Sequence, residues 1–497
     1  MPRRALMVGL VAMCQCAFGC AGDDDTSADS GSDDDVTDDD SVADDDASDD
    51  ADDDTWPPLP GDDDPVDPWA GLSPSGLPVG EILGMATQMN DDLGDRPERN
   101  FEIEKLVESG LLRLRASVDW GDVEPAQDAW EWEQADAYVD LIVGSGLRFD
   151  GRVCYGIDWA RPDGDDSAMD PADFADYAGA VAGRYCDDIK SWEVWNEENH
   201  RRFWKPEPDP DAFGALMKAT YVAVHDACPD AQVVFGGMSC LEDDIFTEGL
   251  YYFLERVAQA HPDIADYFDV LAIHPYTFLQ QPSPEMSIGD PVDGIWPSMA
   301  GQVEIARRRL ETIGGAGKPI WLTEWGWPSL LIGQEWQARY YDRGALLMIA
   351  QGVEALDWYT FYDGDGGATI PTEDHFGLFT SPAFEGGPRE KPVYRHALAL
   401  STILGASRYA GDLAPALDLP PGAYALGFVE EETGARIVAG WTAERQATAT
   451  LDLPAPPNAP AHTVYSDEGE VLAEGNGAVS LTLGNGVQYV RFDAEGR

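Results

Sequence analysis

Between about residues 79 and 405, short apolar runs alternate with amphipathic stretches whose apolar positions recur at helical spacing. Strands that alternate with helices form a parallel sheet, so the pattern predicts an α/β fold, a (β/α)8 TIM barrel. A doubly wound open sheet is the alternative, but it would have a glycine-rich phosphate turn that Gly84–Thr87 does not provide. The predicted strands are Glu81–Thr87, Leu111–Val118, Leu147–Cys154, Ser191–Trp195, Ala231–Gly236, Val270–His274, Pro319–Thr323 and Ala355–Phe361. The predicted helices are Phe101–Ser109, Ala135–Ser145, Ala172–Tyr185, Asp211–Ala227, Thr247–His261, Met299–Ile313 and Glu335–Gln351.

After residue 405 the helical pattern stops, and short apolar runs are separated by Gly, Pro and Asn-Gly turns. This pattern is typical of antiparallel strands, so a small C-terminal β-sandwich is predicted to follow the barrel. We therefore expect a barrel over residues 76–405 and a β-sandwich over residues 406–497. The predicted strands of the second domain are Ala423–Val429, Ala435–Trp441, Ala447–Leu453, Thr463–Tyr465, Val479–Leu483 and Val487–Phe492.

The N-terminus has the pattern of an export signal over Met1–Gly22. Arg3 and Arg4 precede a short apolar run, and small residues follow that run up to Cys20. The segment resembles a bacterial lipoprotein signal, which implies lipidation of Cys20 after cleavage, although Ala17 stands where leucine is usual. Simple cleavage near Ala21 is the alternative. Either outcome implies an exported protein, held at the cell envelope or outer membrane as a lipoprotein or otherwise secreted.

An aspartate-rich segment follows, and we expect residues 23–75 to be a disordered linker. Residues 23–67 contain 22 Asp and no Lys, Arg or Glu, so like charges repel and little can be buried. A calcium-binding array is a less favoured interpretation, because the aspartates are irregularly spaced and lack the glycine of a calcium loop. The whole chain has 31 Lys and Arg against 93 Asp and Glu, a net charge of −62. Such an acidic protein repels phosphate backbones, which argues against nucleic-acid binding.

The cysteines of the folded part suggest one disulfide. Cys186 and Cys228 each precede a predicted strand, so they could meet at one end of a barrel. Buried free thiols are the alternative. No CxxC motif or cluster of Cys and His indicates zinc, and we expect neither a metal nor a cofactor.

Two glutamates are candidate catalytic groups. Glu197 follows the fourth predicted strand and Glu324 the seventh, and reactive groups of barrels lie at the carboxyl ends of strands. Both stand among tryptophans, and two carboxyl groups facing one cleft can cleave a glycosidic bond. Glu193, four residues before Glu197, is expected in a polar layer inside the barrel. Glu198 is expected to face solvent.

In this set of residues the chain resembles the clan A glycoside hydrolases, which are retaining (β/α)8 enzymes. Asn196-Glu197 resembles the Asn-Glu pair of that clan, and Thr323-Glu324-Trp325-Gly326 resembles its Thr-Glu-aromatic-Gly motif. The run Trp195–Asn199, followed by Phe203-Trp204, is similar to family 39, and family 5 is also similar. The resemblance covers roughly residues 79–405.

The resemblance implies roles for individual residues. Glu197 would be the acid/base and Glu324 the nucleophile. Asn196 would bind the sugar 2-hydroxyl. The remaining implied roles are contacts with Glu324 by Arg115 and by Tyr276 of the motif His274-Pro275-Tyr276, and a sugar platform formed by Trp358.

We therefore expect a retaining glycoside hydrolase that cleaves β-linked glycosides or polysaccharides through a covalent glycosyl-enzyme. The alternatives are a non-catalytic glycan-binding surface lipoprotein and a lipoprotein whose acidic spacer is the functional part. The expected partner is a β-linked glycan, with no nucleic acid and with membrane contact only through a lipid anchor. We expect a monomer.

Overall fold

The structure is a computed structural model, and the residues that it describes are 67–87, 97–240, 250–277, 283–286, 297–368 and 370–494. The predicted export signal, Cys20 and most of the predicted linker lie outside these residues and stay predictions. Among the described residues, no helix is both long enough and apolar enough to span a membrane.

Eight parallel strands form a closed barrel, and their bounds are β1 (Leu83–Ala86), β2 (Arg113–Ser117), β3 (Arg148–Val153), β4 (Ser191–Val194), β5 (Gln232–Ser239), β6 (Val270–His274), β7 (Ile320–Trp325) and β8 (Ala355–Tyr359). The barrel closes because β1 pairs with β2 on one side and with β8 on the other. The TIM barrel prediction is confirmed. The first predicted strand begins too early, because residues 79–82 form one helical turn before β1.

Helices surround the barrel, and their bounds are α1 (Val79–Ile82), α2 (Pro97–Ser109), α3 (Trp120–Val123), α4 (Glu133–Gly144), α5 (Pro171–Arg184), α6 (Pro210–Ala227), α7 (Tyr252–Ala260), α8 (Met299–Thr312), α9 (Ser329–Ile332), α10 (Gln334–Ala350) and α11 (Pro392–Leu404). Two long helices begin with the same local sequence, Asp followed by Pro. The Asp170 and Asp209 side chains accept hydrogen bonds from backbone N–H groups of the first turn. The proline that follows each has no N–H group to satisfy, so both helices start where the sequence dictates.

The C-terminal domain is antiparallel, with strands β9 (Arg408–Asp412), β10 (Ala423–Val429), β11 (Arg436–Thr442), β12 (Ala449–Leu453), β13 (Ala461–Tyr465), β14 (Val471–Asn476), β15 (Val479–Leu483) and β16 (Gln488–Asp493). Six strands pair in the order β14-β13-β16-β11-β10-β9, and β12 pairs with β15. The predicted β-sandwich is confirmed. The sequence did not predict β9 and β14, because β14 is almost wholly exposed and β9 alternates weakly, so neither carries a clear apolar pattern.

Part of the segment predicted as a disordered linker is ordered against this domain. The Trp69 indole N–H donates a hydrogen bond to the Pro454 carbonyl at 3.0 Å, and its ring packs edge-on against Phe492. Ser75 forms a β-bridge with Tyr409. The linker prediction over 23–75 therefore extends too far, because Trp69 is the kind of large apolar residue that a sheet face can bury.

Cys186 and Cys228 form a disulfide that joins the end of α5 to the end of α6. Of the two alternatives from the sequence, the disulfide is the one found. Cys154 and Cys240 are both buried.

Candidate active site

Glu197 and Glu324 meet at the carboxyl-terminal mouth of the barrel. One carboxylate oxygen of each, together with one ring nitrogen of His274, lie within 4.8 Å of one another. We call these three residues the mouth cluster. The two carboxylates are 13% and 14% exposed, so both are accessible from the cleft and largely desolvated. A substrate of the right shape can therefore reach both groups at once.

The backbone that presents Glu197 is strained. Trp195 and Glu197 have φ angles of 75° and 50°, a left-handed region that non-glycine residues seldom adopt. The Glu197 N–H donates to the Gly237 carbonyl at 3.1 Å, which holds the turn. Strain of this kind persists only where the surrounding structure fixes it, and it is concentrated at functional sites.

Glu324 is held as a carboxylate by hydrogen-bond donors on β2 and just after β6. Arg115 Nη1 donates to Glu324 Oε1 at 2.8 Å, and the Tyr276 hydroxyl donates to Glu324 Oε2 at 3.1 Å. Burial raises the pKa of Glu324, but the charges of His274 and Arg115 outweigh burial and leave its pKa below the usual range. Ionised Glu324 is therefore the favoured state, as a nucleophile requires.

Arg115 is itself fixed by a buried polar layer. Its Nε donates to Glu193 Oε2 at 2.8 Å, and its Nη2 donates to both Glu193 Oε1 and Asn196 Oδ1. Arg152 Nη1 also donates to Asn196 Oδ1, at 3.1 Å. Glu193 lies in the polar barrel layer, where the sequence had predicted it. Arg115 and Arg152 both donate to Asn196 Oδ1. The amide nitrogen of Asn196 is therefore the end that can face a ligand.

His274 lies between the two carboxylates. Its Nδ1 is 3.0 Å from Glu197 Oε1 and 3.6 Å from Glu324 Oε2, while its Nε2 is 3.2 Å from Thr323 Oγ1. A Cβ at Gly237 would stand 2.3 Å from His274 Nε2, so glycine at that position makes room for the ring. His274 is fully buried, which makes it an orienting group that the substrate does not cover.

The predicted platform role of Trp358 is wrong. Trp358 is fully buried, donates its indole N–H to the Phe376 carbonyl at 3.1 Å and packs against Trp325 and Tyr341. Alternation along β8 explains this placement, since Trp358 points outward to the helices. Its neighbour Tyr359 points to the mouth and is partly exposed.

Tyr359 belongs to the site instead. Its hydroxyl is buried enough to raise its pKa, and the charge of Glu324 raises it further. The alternation of side chains along β8 could have identified Tyr359 from the sequence. Asp357 is a polar residue on β8 that lies close to Arg113 inside the barrel, 3.7 Å from its Nε. Tyr359, two positions on, shares that inward face.

Glu198 does not face solvent as expected, because it is fully buried. A Cβ at Gly236 would stand 2.1 Å from Glu198 Oε2, so this glycine leaves the space that the carboxylate occupies. Gly236 also has a positive φ of 26°. The sequence offered no sign of this, because Gly236 lies on a different strand.

Two further charged groups lie at the rim of the barrel. Arg202, after β4, is 3.3 Å from Glu373, which lies in the short 3₁₀ helix Pro371–His375 after β8. Burial raises the pKa of Glu373, the charge of Arg202 lowers it, and the charges of Glu197 and Glu324 raise it.

No protein-family model and no curated protein matches this sequence. Solved structures match this chain in fold. A family 39 glycoside hydrolase from Bacteroides cellulosilyticus WH2 has a TM-score of 0.63 at 22% identity, over 84% of this chain and 82% of that chain. A beta-xylosidase from Caulobacter crescentus CB15 has a TM-score of 0.60 at 15% identity, over 86% and 98%.

This chain has the fold of these glycoside hydrolases. An alpha-L-arabinofuranosidase from Thermotoga maritima also shares it, with a TM-score of 0.56 at 12% identity, over 86% of this chain and 99% of that chain. The similarity in fold to a family 39 enzyme, expected from the run Trp195–Asn199 followed by Phe203-Trp204, is thus confirmed. Function has to be argued from the site itself.

Proposed function

We propose that the protein is a retaining glycoside hydrolase that cleaves β-linked glycosides by double displacement. The observation that carries the proposal is the mouth cluster, in which carboxylate oxygens of Glu197 and Glu324 lie within 4.8 Å. Carboxyl groups of retaining enzymes are ~5–5.5 Å apart, whereas inverting enzymes need about 6.5–9.5 Å to admit a water. The spacing here leaves no room for that water between the groups.

In the first step, Glu324 attacks the anomeric carbon while Glu197 gives its proton to the departing glycosidic oxygen. The hydrogen bonds from Arg115 and Tyr276 keep Glu324 anionic until the bond to carbon forms. The products of this step are a free alcohol and a covalent glycosyl-enzyme ester.

In the second step, Glu197 is a carboxylate and takes a proton from water, which attacks the same anomeric carbon. Glu324 leaves as a carboxylate, and two inversions give net retention. His274 is 3.0 Å from Glu197 and orients it in both steps. Asn196 would bind the sugar 2-hydroxyl, a contact that strengthens in the transition state.

The substrate class is supported by the proteins that share the fold. These proteins include a beta-xylosidase, a glucosidase, a bifunctional glucanase-xylanase and an alpha-L-arabinofuranosidase. We propose xylosides or glucosides in β linkage as the first substrates to test. An aryl α-L-arabinofuranoside is the matched comparison.

The test uses the full chain with aryl β-glycosides, the arabinofuranoside and β-linked polysaccharides. Glu324→Ala is expected to lower kcat by roughly 10⁴-fold or more, as loss of a nucleophile does. Sodium azide should then restore turnover on an activated aryl β-glycoside, because azide occupies the space of the lost carboxylate. Its product should be the α-glycosyl azide, identified by NMR. Glu207→Ala, an exposed carboxylate after β4, is the matched control.

Two outcomes would contradict the proposal. Turnover that survives Glu324→Ala would rule out that residue as nucleophile. A wild-type protein that binds glycans in calorimetry but cleaves none would favour the glycan-binding alternative.

A further inference from the structure

A second group of carboxylates and histidine lies where the barrel meets the β domain. Asp342 lies on α10, His396 on α11 and Asp467 in the loop between β13 and β14. One ligand atom from each lies within 4.8 Å of the others, and His396 Nδ1 is 2.6 Å from Asp342 Oδ2. We call these three residues the interdomain cluster. It shares no residue with the mouth cluster and plays no part in the proposed reaction.

Two buried oxygens at this cluster lack a hydrogen-bond partner. Within the part of the chain that the structure describes, Asp342 Oδ1 and the Tyr489 hydroxyl have none. Both side chains are fully buried, and the charges of Asp342 and Asp467 act on Tyr489. A buried polar atom without a partner costs about 1–3 kcal/mol, and an ion or water is the usual explanation in native proteins.

The charges around the cluster favour a cation. Two carboxylates face one imidazole, so the cluster is negative even with His396 protonated. The nearest arginine on α10 is engaged elsewhere, because Arg343 binds Glu285 with Nε at 2.8 Å and Nη2 at 2.7 Å. Buried charges are otherwise costly unless they are paired or bind a metal.

The loop that supplies Asp467 is held in place before any ligand arrives. A Cβ at Gly486 would stand 2.3 Å from Asp467 Oδ2, so that glycine gives the carboxylate its space. The next residue, Glu468, is 3.2 Å from Arg395 on α11. Three ligands from separate elements are therefore pre-positioned.

We propose that Asp342, His396 and Asp467 bind a divalent transition-metal cation that ties the β domain to the barrel helices. One imidazole nitrogen with carboxylate oxygens is a ligand set that zinc accepts at about 2.0–2.2 Å, and three protein ligands leave a fourth position for water. Tetrahedral ligands at that distance lie about 3.4 Å apart. Binding of the cation therefore replaces the direct contact between His396 Nδ1 and Asp342 Oδ2, which are 2.6 Å apart.

The experiment uses the untagged full chain, dialysed against EDTA and then titrated with ZnCl₂ in a calorimeter, with Tm measured before and after. We expect one equivalent bound through the interdomain cluster and a rise in Tm of roughly 5 °C. Asp467→Asn should weaken that binding by at least ~100-fold and abolish the Tm rise. Glu470→Gln, at an exposed carboxylate of the same loop, should keep both.

Stoichiometry separates this site from the mouth cluster, which also brings a histidine near two carboxylates. Zinc bound at the mouth would persist in Asp467→Asn and disappear in Glu324→Gln. The proposal is overturned if the wild-type chain binds no zinc, which would assign the unpartnered oxygens to water. It is also overturned if Asp467→Asn binds zinc and gains Tm as the wild type does.

Discussion

The mouth cluster and the interdomain cluster have the same composition, a histidine between two carboxylates, yet their surroundings differ. At the mouth, Arg115 from β2 and Tyr276 after β6 both donate to Glu324, and both carboxylates reach the cleft. At the domain interface, a buried oxygen of Asp342 meets no donor among the described residues. The difference teaches that the neighbours of a charged group decide its chemistry. Glu324, whose oxygens both accept hydrogen bonds, lies beside the less constrained Glu197, and this arrangement suits proton and glycosyl transfer. Asp342, which has one buried oxygen without a donor, suits the binding of an ion.

The largest effect on kcat/KM that would separate the mouth cluster from the interdomain cluster is expected at Glu197. With a phenyl leaving group, Glu197→Gln should lower kcat/KM by about 10²–10⁴-fold, because a neutral amide cannot give a proton. With a dinitrophenyl leaving group, which departs without a proton, most of this loss should vanish. The measurement is kcat/KM across a series of aryl glycosides of decreasing leaving-group pKa.

At the interdomain cluster, Asp342→Asn removes the same charge beside the same kind of partner. We expect this substitution to reduce the rise in Tm that zinc produces. The dependence of kcat/KM on leaving-group pKa should stay as in the wild type. A Glu197→Gln variant that loses activity equally on every leaving group would contradict the acid/base role of Glu197. It would also contradict the contrast between the mouth cluster and the interdomain cluster.

The next effect concerns the donors that distinguish the mouth. Tyr276→Phe removes the hydroxyl that donates to Glu324 at 3.1 Å. A hydrogen bond to a charged group is worth about 1.5–3 kcal/mol, so kcat/KM should fall by about 10- to 100-fold. The measurement is a kcat/KM profile from pH 3 to 8.

The sign of the pH effect follows from the state of Glu324. Its pKa is lowered in the protein, so it stays ionised at acidic pH, and activity is lost only as pH falls through that low pKa. Removing a donor to the carboxylate raises its pKa. The acid limb should therefore move to higher pH in Tyr276→Phe. A limb that stays in place, with only a lower plateau, would show that Tyr276 acts on something other than the ionisation of Glu324.

The sequence alone predicted the parts of this molecule that depend on local pattern. All eight barrel strands were predicted, because each is an apolar run flanked by helical periodicity. Short motifs predicted that Glu197, Glu324, His274 and Tyr276 lie together, and the structure brings them together, while their catalytic roles stay predictions. The interdomain cluster was not found, since its residues are on two helices and a distant loop. Strand β14 was missed because it buries almost nothing.

The two errors at the mouth have a different physical cause. Trp358 and Glu198 were misplaced because the orientation of a single side chain depends on strand parity and on a glycine of another strand. A motif gives the position of a residue along the chain, whereas the fold decides which face that residue occupies. Parity was readable from Asp357, but the space beside Gly236 was not.

The smallest of these effects on catalysis is expected at Trp358 and Tyr359, and it tests which face of β8 each residue occupies. Trp358→Ala should lower the free energy of unfolding by about 3–5 kcal/mol, because it empties a buried site between Trp325 and Tyr341. Tyr359→Ala should instead raise KM by about tenfold, because a ring that faces the mouth contributes contact area to the sugar. Urea denaturation and steady-state kinetics on both variants separate the two effects. If Trp358→Ala raised KM at unchanged stability while Tyr359→Ala left KM alone, the outward placement of Trp358 would be wrong, and the platform that the sequence suggested would return.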